Sequence, residues 1–295
     1  MNIMRFSTLY LLFSVIVMAV SISMLVAFGL NLGIDFTGGS VMEVVYEGEV
    51  PTNEVIAEQI SGLEIGSPHI QPIGEKGIVI RMNDITEQVH RSVLLSLGEG
   101  VTESKFESIG PVIGKELQEK TLVLVSLSLL AIILYITFAF RRIAGQVKFW
   151  HWSVAALFAL VHDLLIPIGL FAVLGAFYEV QLNIPIVVAL LTVVGYSIND
   201  TVVVFDRIRE NIGRKVSTSL EQTVAVSIRQ ALSRSLGTST TTLIVLVSLY
   251  FFGGETLKYF ALALIAGVIA GTYSSLFVAP TILVKWLGRG NSVDN

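Results

Sequence analysis

Six separate stretches of this chain are long and apolar enough to cross a lipid bilayer, and they constrain its fold more than any other feature. A membrane-crossing helix needs about 20 predominantly apolar residues, because backbone N–H and C=O groups in hydrocarbon must be satisfied within the spanning structure. The runs are Phe6 to Ile34, Thr121 to Phe140, Phe149 to about Leu174, Gln181 to Phe205, Ser235 to Phe252 and Tyr259 to about Val284. Composition agrees: of 295 residues 53% are hydrophobic and 14% charged, against about a quarter charged in soluble domains. A soluble enzyme is excluded. The first run is read as a retained helix, since it is far longer than the roughly 7–15 apolar residues of a signal peptide and lacks a small-x-small cleavage site.

Basic residues set the expected orientation, because Lys and Arg near short loops are retained on the cytoplasmic side. With the N-terminus inside, that side takes Arg5, then Arg141, Arg142 and Lys148, then the cluster from Arg207 to Arg234, then Lys285 and Arg289, while the short outer loops hold only Lys258. Both termini are thus expected in the cytoplasm. The boundaries that follow are 1–34 for the N-terminus and first span, 35–118 for an extracytoplasmic domain, 119–290 for spans two to six, and 291–295 for a cytoplasmic tail. The outer domain carries Glu43, Glu47, Glu49, Glu54, Glu58 and Glu64 and is acidic. A net charge of -4 offers no field for nucleic acid phosphates, so nucleic acid is not an expected partner. With no cysteine there is no disulfide framework, thiolate metal site or cysteine nucleophile.

Within 35–118, Val41–Tyr46 alternates as a strand does, Pro51 opens a helix through Ile60, and His69–Ile73 and Gly77–Met82 read as two short strands. Asp84–Leu97 places Val89, Val93, Leu94 and Leu97 on one helical face, and a strand near Ser104–Ile109 follows. The order is βαββαβ, a small ferredoxin-like α+β domain. Between spans four and five, at about 206–234, Leu220, Val224, Ile228 and Ala231 recur at helical spacing opposite Glu221, Arg229 and Gln230. This predicts an amphipathic connector lying on the inner membrane surface.

Charge inside the spans is the main chemical clue, since an ionisable residue at helix centre costs roughly 2.5–3.5 kcal/mol on insertion scales and is usually functional. Asp200 interrupts span four, about 9 Å inside Asp206 at 1.5 Å rise per residue. Arg234 opens the antiparallel span five in the same inner layer, so the two are expected to meet, against the alternative that Asp200 marks an early membrane edge and Arg234 snorkels to lipid phosphate. Thr238 and Thr242 lie in a dense run of hydroxyls that either supports that carboxylate or bonds its own helix. His162 and Asp163 in span three are either a second relay or an interhelical lock. His151, Trp150 and Trp152 are expected at the interface, and His69 and His90 on the outer domain's surface. No metal-ligand spacing occurs. In span six, Gly267 and Gly271 share one face, with Ala263 a turn earlier, and predict close packing on a neighbouring helix.

Enzyme motifs fail. Gly195-Tyr-Ser-Ile198 has no histidine after Asp163 to serve as its base. Gly110-Pro-Val-Ile-Gly-Lys115 has one residue too few between its glycines for a phosphate loop and lacks the final Ser/Thr. No cofactor is expected, and the ion gradient is the available energy source.

Asn31-Leu-Gly-Ile-Asp-Phe-Thr-Gly-Gly39 resembles the signature that opens the outer domain of the SecF family, membrane subunits of bacterial protein export. Gly110-Pro-Val-Ile-Gly-Lys-Glu-Leu117 resembles that family's entry to span two, and Val161-His-Asp163 its third span. Gly195-Tyr-Ser-Ile-Asn-Asp-Thr-Val-Val-Val-Phe-Asp-Arg-Ile-Arg-Glu-Asn211 is similar to its fourth-span motif, and Gly271-Thr-Tyr-Ser-Ser-Leu-Phe-Val-Ala-Pro280 to its sixth. The resemblance covers essentially the whole chain. It implies a half-transporter of the resistance-nodulation-division architecture that pairs with SecD to make twelve spans, with SecYEG as the channel, a translocating polypeptide as cargo and protons as the coupling ion. It also implies that Asp200 conducts protons and that Arg234 is its cationic partner. Two other readings stay open: a proton-driven small-molecule or lipid exporter of the same superfamily, and a passive assembly scaffold.

Overall fold

The computed structural model describes residues 3–140 and 149–290. Arg141, Arg142 and Lys148, used for orientation, and the tail 291–295 lie outside the described residues, as does the side chain of Arg289. The chain forms two compact units, one of Leu32–Leu124 and one of Met1–Asn31 with Val125–Asn295.

In the first unit, a single helical turn α2 (Ile34–Thr37) leads into β1 (Gly39–Tyr46), α3 (Asn53–Gln59), β2 (His69–Ile73), β3 (Gly77–Met82), α4 (Glu87–Ser96) and β4 (Val101–Ile109); α1 is the first spanning helix, given below. From β1 onward, the expected succession of strands and helices is the one observed. The sheet order is β2-β3-β1-β4 with every neighbour antiparallel. Alternation puts Met42, Val44 and Tyr46 of β1 and Ile78, Ile80 and Met82 of β3 on one buried face. Ile56 and Ile60 from the α3 segment and Val93 and Leu97 from the α4 segment close over it. Thr86 caps α4, its hydroxyl accepting from Val89 N at 3.5 Å. His90 is not free on the surface: it stacks on Phe106 with ring centroids 3.9 Å apart and contacts Glu103 at 2.6 Å.

Two of the quoted glycine motifs meet in this unit. A Cβ on Gly38, whose φ is +74°, would lie 2.7 Å from Pro111 Cα, and one on Gly114 would lie 2.7 Å from Gly38 N. Both positions require glycine because backbone passes against backbone there.

Among the described residues six helices are long and apolar enough to cross a membrane. They are α1 (Ser7–Phe28), α5 (Pro111–Phe140), α6 (Phe149–Tyr178), α7 (Ile184–Gly213), α8 (Leu220–Phe252), and a last one built from α9 (Gly254–Tyr273), a π-helical turn at Ser274–Val278 and α10 (Ala279–Gly290). Helix α7 starts where Asn183 Oδ1 accepts from Ile186 N at 3.2 Å, with Pro185 in the first turn, where its missing N–H costs nothing. Helix α8 starts where Ser219 Oγ accepts from Gln222 N at 3.2 Å.

The amphipathic segment after residue 220 is the first part of the fifth spanning helix itself and not a separate surface helix. Val224, Ala225, Ile228 and Ala231 are buried in one cluster with Val204, Phe205 and Ile208 of α7. A protein neighbour covers the apolar stripe, so no lipid surface is needed for it. Trp152, expected at the interface, is fully buried with its ring centroid 5.0 Å from that of Phe205.

Small residues set the close approaches. A Cβ on Gly169 of α6 would lie 2.6 Å from Ser21 Cβ of α1. A Cβ on Gly267 of α9 would lie 2.1 Å from Val193 Cγ2 of α7, and one on Gly271 would lie 3.3 Å from Ser197 Cβ. In lipid, where no hydrophobic force gathers helices, such contact is how packing energy is gained. Helix α5 is the contrast: Leu122, Leu124, Leu127, Leu130, Leu134 and Phe138 are all exposed.

Candidate functional site

Two carboxylates buried among the spanning helices each gather serine hydroxyls from neighbouring helices. Asp163 of α6 is 0% exposed and Asp200 of α7 is 7% exposed, so neither reaches open solvent. Helical periodicity places Ser197 and Asp200, three residues apart, on one face of α7. That face meets α6 on one side and the Gly267–Gly271 side of α9 on the other.

Asp163 is held by three groups. His162 Nδ1 lies 2.8 Å from its Oδ1, while Ser197 Oγ donates to Oδ2 at 2.5 Å and Ser274 Oγ donates to the same oxygen at 2.7 Å. His162 is itself 1% exposed, and its Nε2 has no hydrogen-bond partner among the described residues. Asp200 is held by hydroxyls. Ser235 Oγ donates to Oδ1 at 2.6 Å, and Ser275 Oγ donates to Oδ2.

The π turn makes this convergence possible. Widening the helix to i→i+5 bonding changes the angle between successive side chains. Adjacent residues Ser274 and Ser275 thereby serve different carboxylates on different helices. A third hydroxyl group lies beside them: Ser239 and Thr272 share a hydrogen bond of 2.6 Å, and Tyr196 Oη donates to Ser239 at 3.1 Å.

The expected pairing of Asp200 with Arg234 is not observed. Arg234 is exposed and makes no ion pair with Asp200 among the described residues. Its side chain lines a cleft of about 270 Å³ with Asp206, Arg207, Arg209, Glu210 and Gln230. The helical turn that points Ser235 inward points its predecessor away. Thr238 and Thr242 do not support the carboxylate either. Thr238 Oγ1 donates to the carbonyls of Arg234 and Ser235, and Thr242 Oγ1 to that of Thr238. Both satisfy their own helix, as hydroxyls in helices commonly do. His162 and Asp163 are brought together, and Gly271 lies beside them, since a Cβ there would be 3.5 Å from Asp163 Oδ2.

Ser235, Ser274 and Ser275 carry no role in the sequence analysis, and Ser197 enters it only as a rejected nucleophile. Their signal was available in part: Ser197 precedes Asp200 by three residues, and Ser235 follows an intramembrane arginine. Among the described residues no group of three or more His, Cys, Asp or Glu gathers as metal ligands would. The site's own chemistry is that of titratable carboxyls and an imidazole in a hydroxyl lining.

Comparison with known proteins agrees with this architecture. Residues 89–289 match the family described as protein export membrane protein SecD/SecF, C-terminal, and residues 23–50 match the SecD/SecF GG motif. The chain is 37% identical to the protein translocase subunit SecF of Thermobaculum terrenum, over 97% of this chain and 93% of that one. It is 35% identical to the protein translocase subunit SecDF of Brucella abortus, over 96% of this chain and 37% of the longer relative. The crystal structure of SecDF from Thermus thermophilus, a translocon-associated membrane protein, superimposes with a TM-score of 0.85 at 31% identity, over 98% of this chain and 39% of that one. With six membrane-length helices, a small sheet-bearing unit and near full-length identity of this order, the chain belongs to the SecF family of protein translocase subunits, multi-pass proteins of the bacterial inner membrane that serve protein export.

Proposed function

We propose that this chain couples proton flow through its membrane helices to movement of its extracytoplasmic unit, and so assists the late translocation of secreted polypeptides delivered by a SecYEG channel. SecD is the other half of the transporter, a partnership supported by relatives in which both halves form one chain. Both termini lie in the cytoplasm, in keeping with the basic residues near the short loops.

The observation that carries the reading is the setting of Asp200. A carboxyl buried among membrane-length helices and lined by two serine hydroxyls has no counter-cation in contact among the described residues. Hydroxyls accept as well as donate, so the same lining serves the ionised and the protonated carboxyl. Arg234 is one residue from Ser235 on α8 and outside contact with Asp200. A shift of α8 that brings the guanidinium to the carboxyl would favour its charged form and release a proton, and withdrawal would favour uptake. Cycling between these arrangements converts proton flow into helix movement.

The test is Asp200→Asn, which removes the titratable group at nearly constant volume. In vesicles reconstituted with SecYEG and SecD, the variant is expected to assemble with SecD and to lose the gradient-dependent part of export. Normal gradient-dependent export by the variant would sink the proton-carrier role. The same assay with and without the wild-type pair separates this reading from a passive scaffold, which would give no gradient dependence.

A further inference from the structure

The geometry points to a second proton-binding site, the His162–Asp163 pair, linked to Asp200 by the adjacent hydroxyls of Ser274 and Ser275; this rests on the reading of Asp200 as a proton carrier. Both side chains are buried, His162 at 1% and Asp163 at 0% exposure. Asp163 already accepts from Ser197 and Ser274, which leaves Oδ1 to face Nδ1 of His162 at 2.8 Å. A neutral imidazole with its proton on Nδ1 donates to that oxygen and leaves the Nε2 lone pair as the unpartnered atom. An unpaired buried acceptor is more readily tolerated than an unpaired N–H. With Nδ1 and both Asp163 oxygens engaged, Nε2 is the atom of the pair open to a proton.

The balance is simple. A proton added at Nε2 makes an imidazolium, the Nδ1 proton passes across the 2.8 Å contact to Asp163 Oδ1, and a neutral imidazole faces a neutral carboxyl. Reversal releases the same proton. The load changes what Ser274 does with its single hydrogen. Its Oγ lies 2.7 Å from Asp163 Oδ2 and 3.2 Å from the carbonyl of Gly271, so it can turn from one to the other as the carboxylate loses its charge. Ser275 has the same choice between Asp200 Oδ2 and the carbonyl of Thr272 at 3.2 Å. The two serines are neighbours in the π turn, and both helix carbonyls belong to the turn that precedes it. The two carboxylates thus hold hydroxyls on consecutive residues of one turn, which is the link between the sites.

The groups facing the pair are few. Helix α9 contributes Tyr273, whose ring centroid is 6.0 Å from that of His162 and whose hydroxyl donates to Tyr10 O. Helix α7 contributes Asp200, through the serines, with Ser197 in direct contact. The π turn contributes hydroxyls only, and Tyr10 is the only titratable residue in α1. Lys285 of α10 donates to Thr8 and is occupied elsewhere. Among the described residues no cation contacts Asp163 besides His162, which is therefore its proton partner.

The experiment is a pH titration of the intact complex with SecD in lipid nanodiscs, read by the infrared C=O band of protonated carboxyls and by the ring nitrogen signals of isotopically labelled histidine. Expected are two carboxyl components, one lost in Asp200→Asn and another lost in Asp163→Asn. The ring signal absent from His162→Gln should change together with the second. Asp200→Asn should also shift the midpoint of the Asp163 component, and the double variant Ser274→Ala, Ser275→Ala should abolish that shift while keeping both components. The wild-type histidine signal needs no variant to fold: a His162 ring that keeps one protonation form throughout the titration overturns the proposal. So does a carboxyl spectrum unchanged by Asp163→Asn. Loss of export in Asp200→Asn with no Asp163 component would refute this site and leave the export reading standing, whereas two components with gradient-dependent export intact in Asp200→Asn would do the reverse.

Discussion

Replacing Gly267 by alanine adds a single methyl group, yet the packing of α9 on α7 leaves no room for it. An ideal Cβ at this position would lie 2.1 Å from Val193 Cγ2, 2.5 Å from Cγ1 and 2.9 Å from Cβ. All three atoms belong to a β-branched residue in a helix, where one rotamer is strongly preferred and the side chain cannot swing aside. The helices must separate, and overpacking of this kind costs about 1–3 kcal/mol. Alanine at Gly237 on α8 meets nothing within 4 Å, and there the change removes only glycine's helix penalty of about 1 kcal/mol, so that variant should be neutral or slightly stabilised. Equilibrium unfolding in mixed micelles, followed by circular dichroism, measures both. The Val193→Ala, Gly267→Ala double variant removes both offending γ carbons and should recover part of the loss, a coupling within the 0.5–3 kcal/mol range found for touching residues. Equal stability of Gly267→Ala and wild type, or strict additivity in the double variant, would show that this face does not set the helix separation.

Arg234→Lys should impair gradient-driven export while leaving unfolding stability unchanged, since the side chain is exposed and only a planar guanidinium can hold a carboxylate by two parallel hydrogen bonds; full export activity would reduce Arg234 to a generic positive charge. On the extracytoplasmic unit, the hydrogen bond from Arg91 Nε to Glu87 at 3.0 Å holds the Glu87 carboxyl below the usual carboxylate range. Its small contribution is thus present above the unfolded value and lost as pH falls through the depressed folded value. Arg91→Ala should return the Glu87 titration, followed by carboxyl carbon resonance, to the ordinary range, and an unmoved midpoint would contradict that cause.

Much of the fold was legible because each level of pattern had one physical reading. Apolar runs of membrane length admit only spanning helices when they lack strand alternation, and the alternation in Val41–Tyr46 admits a half-buried strand. The amphipathic stripe of Leu220, Val224 and Ile228 was misplaced because periodicity shows that a face is covered and not by what. Lipid headgroups and the α7 helix satisfy the same pattern, and only tertiary contact with Phe205 and Ile208 decides between them. The site shows the same limit at finer scale. Asp163 and Asp200 stood out because charge in an apolar run is costly wherever it points, whereas serine is cheap in a helix and carries no such mark. Depth argued for an Asp200–Arg234 pair, but a helix turns about 100° per residue. One step along α8 separates an exposed guanidinium from the hydroxyl that meets the carboxylate. The π turn was least legible, since its extra residue leaves no trace in hydropathy, and within it consecutive serines reach carboxylates on two helices. Replacing Ser274 and Ser275 by alanine should consequently affect proton handling before it affects assembly, because each change removes one hydroxyl and leaves in place Leu276 and Ala279, which pack the last span into the buried cluster.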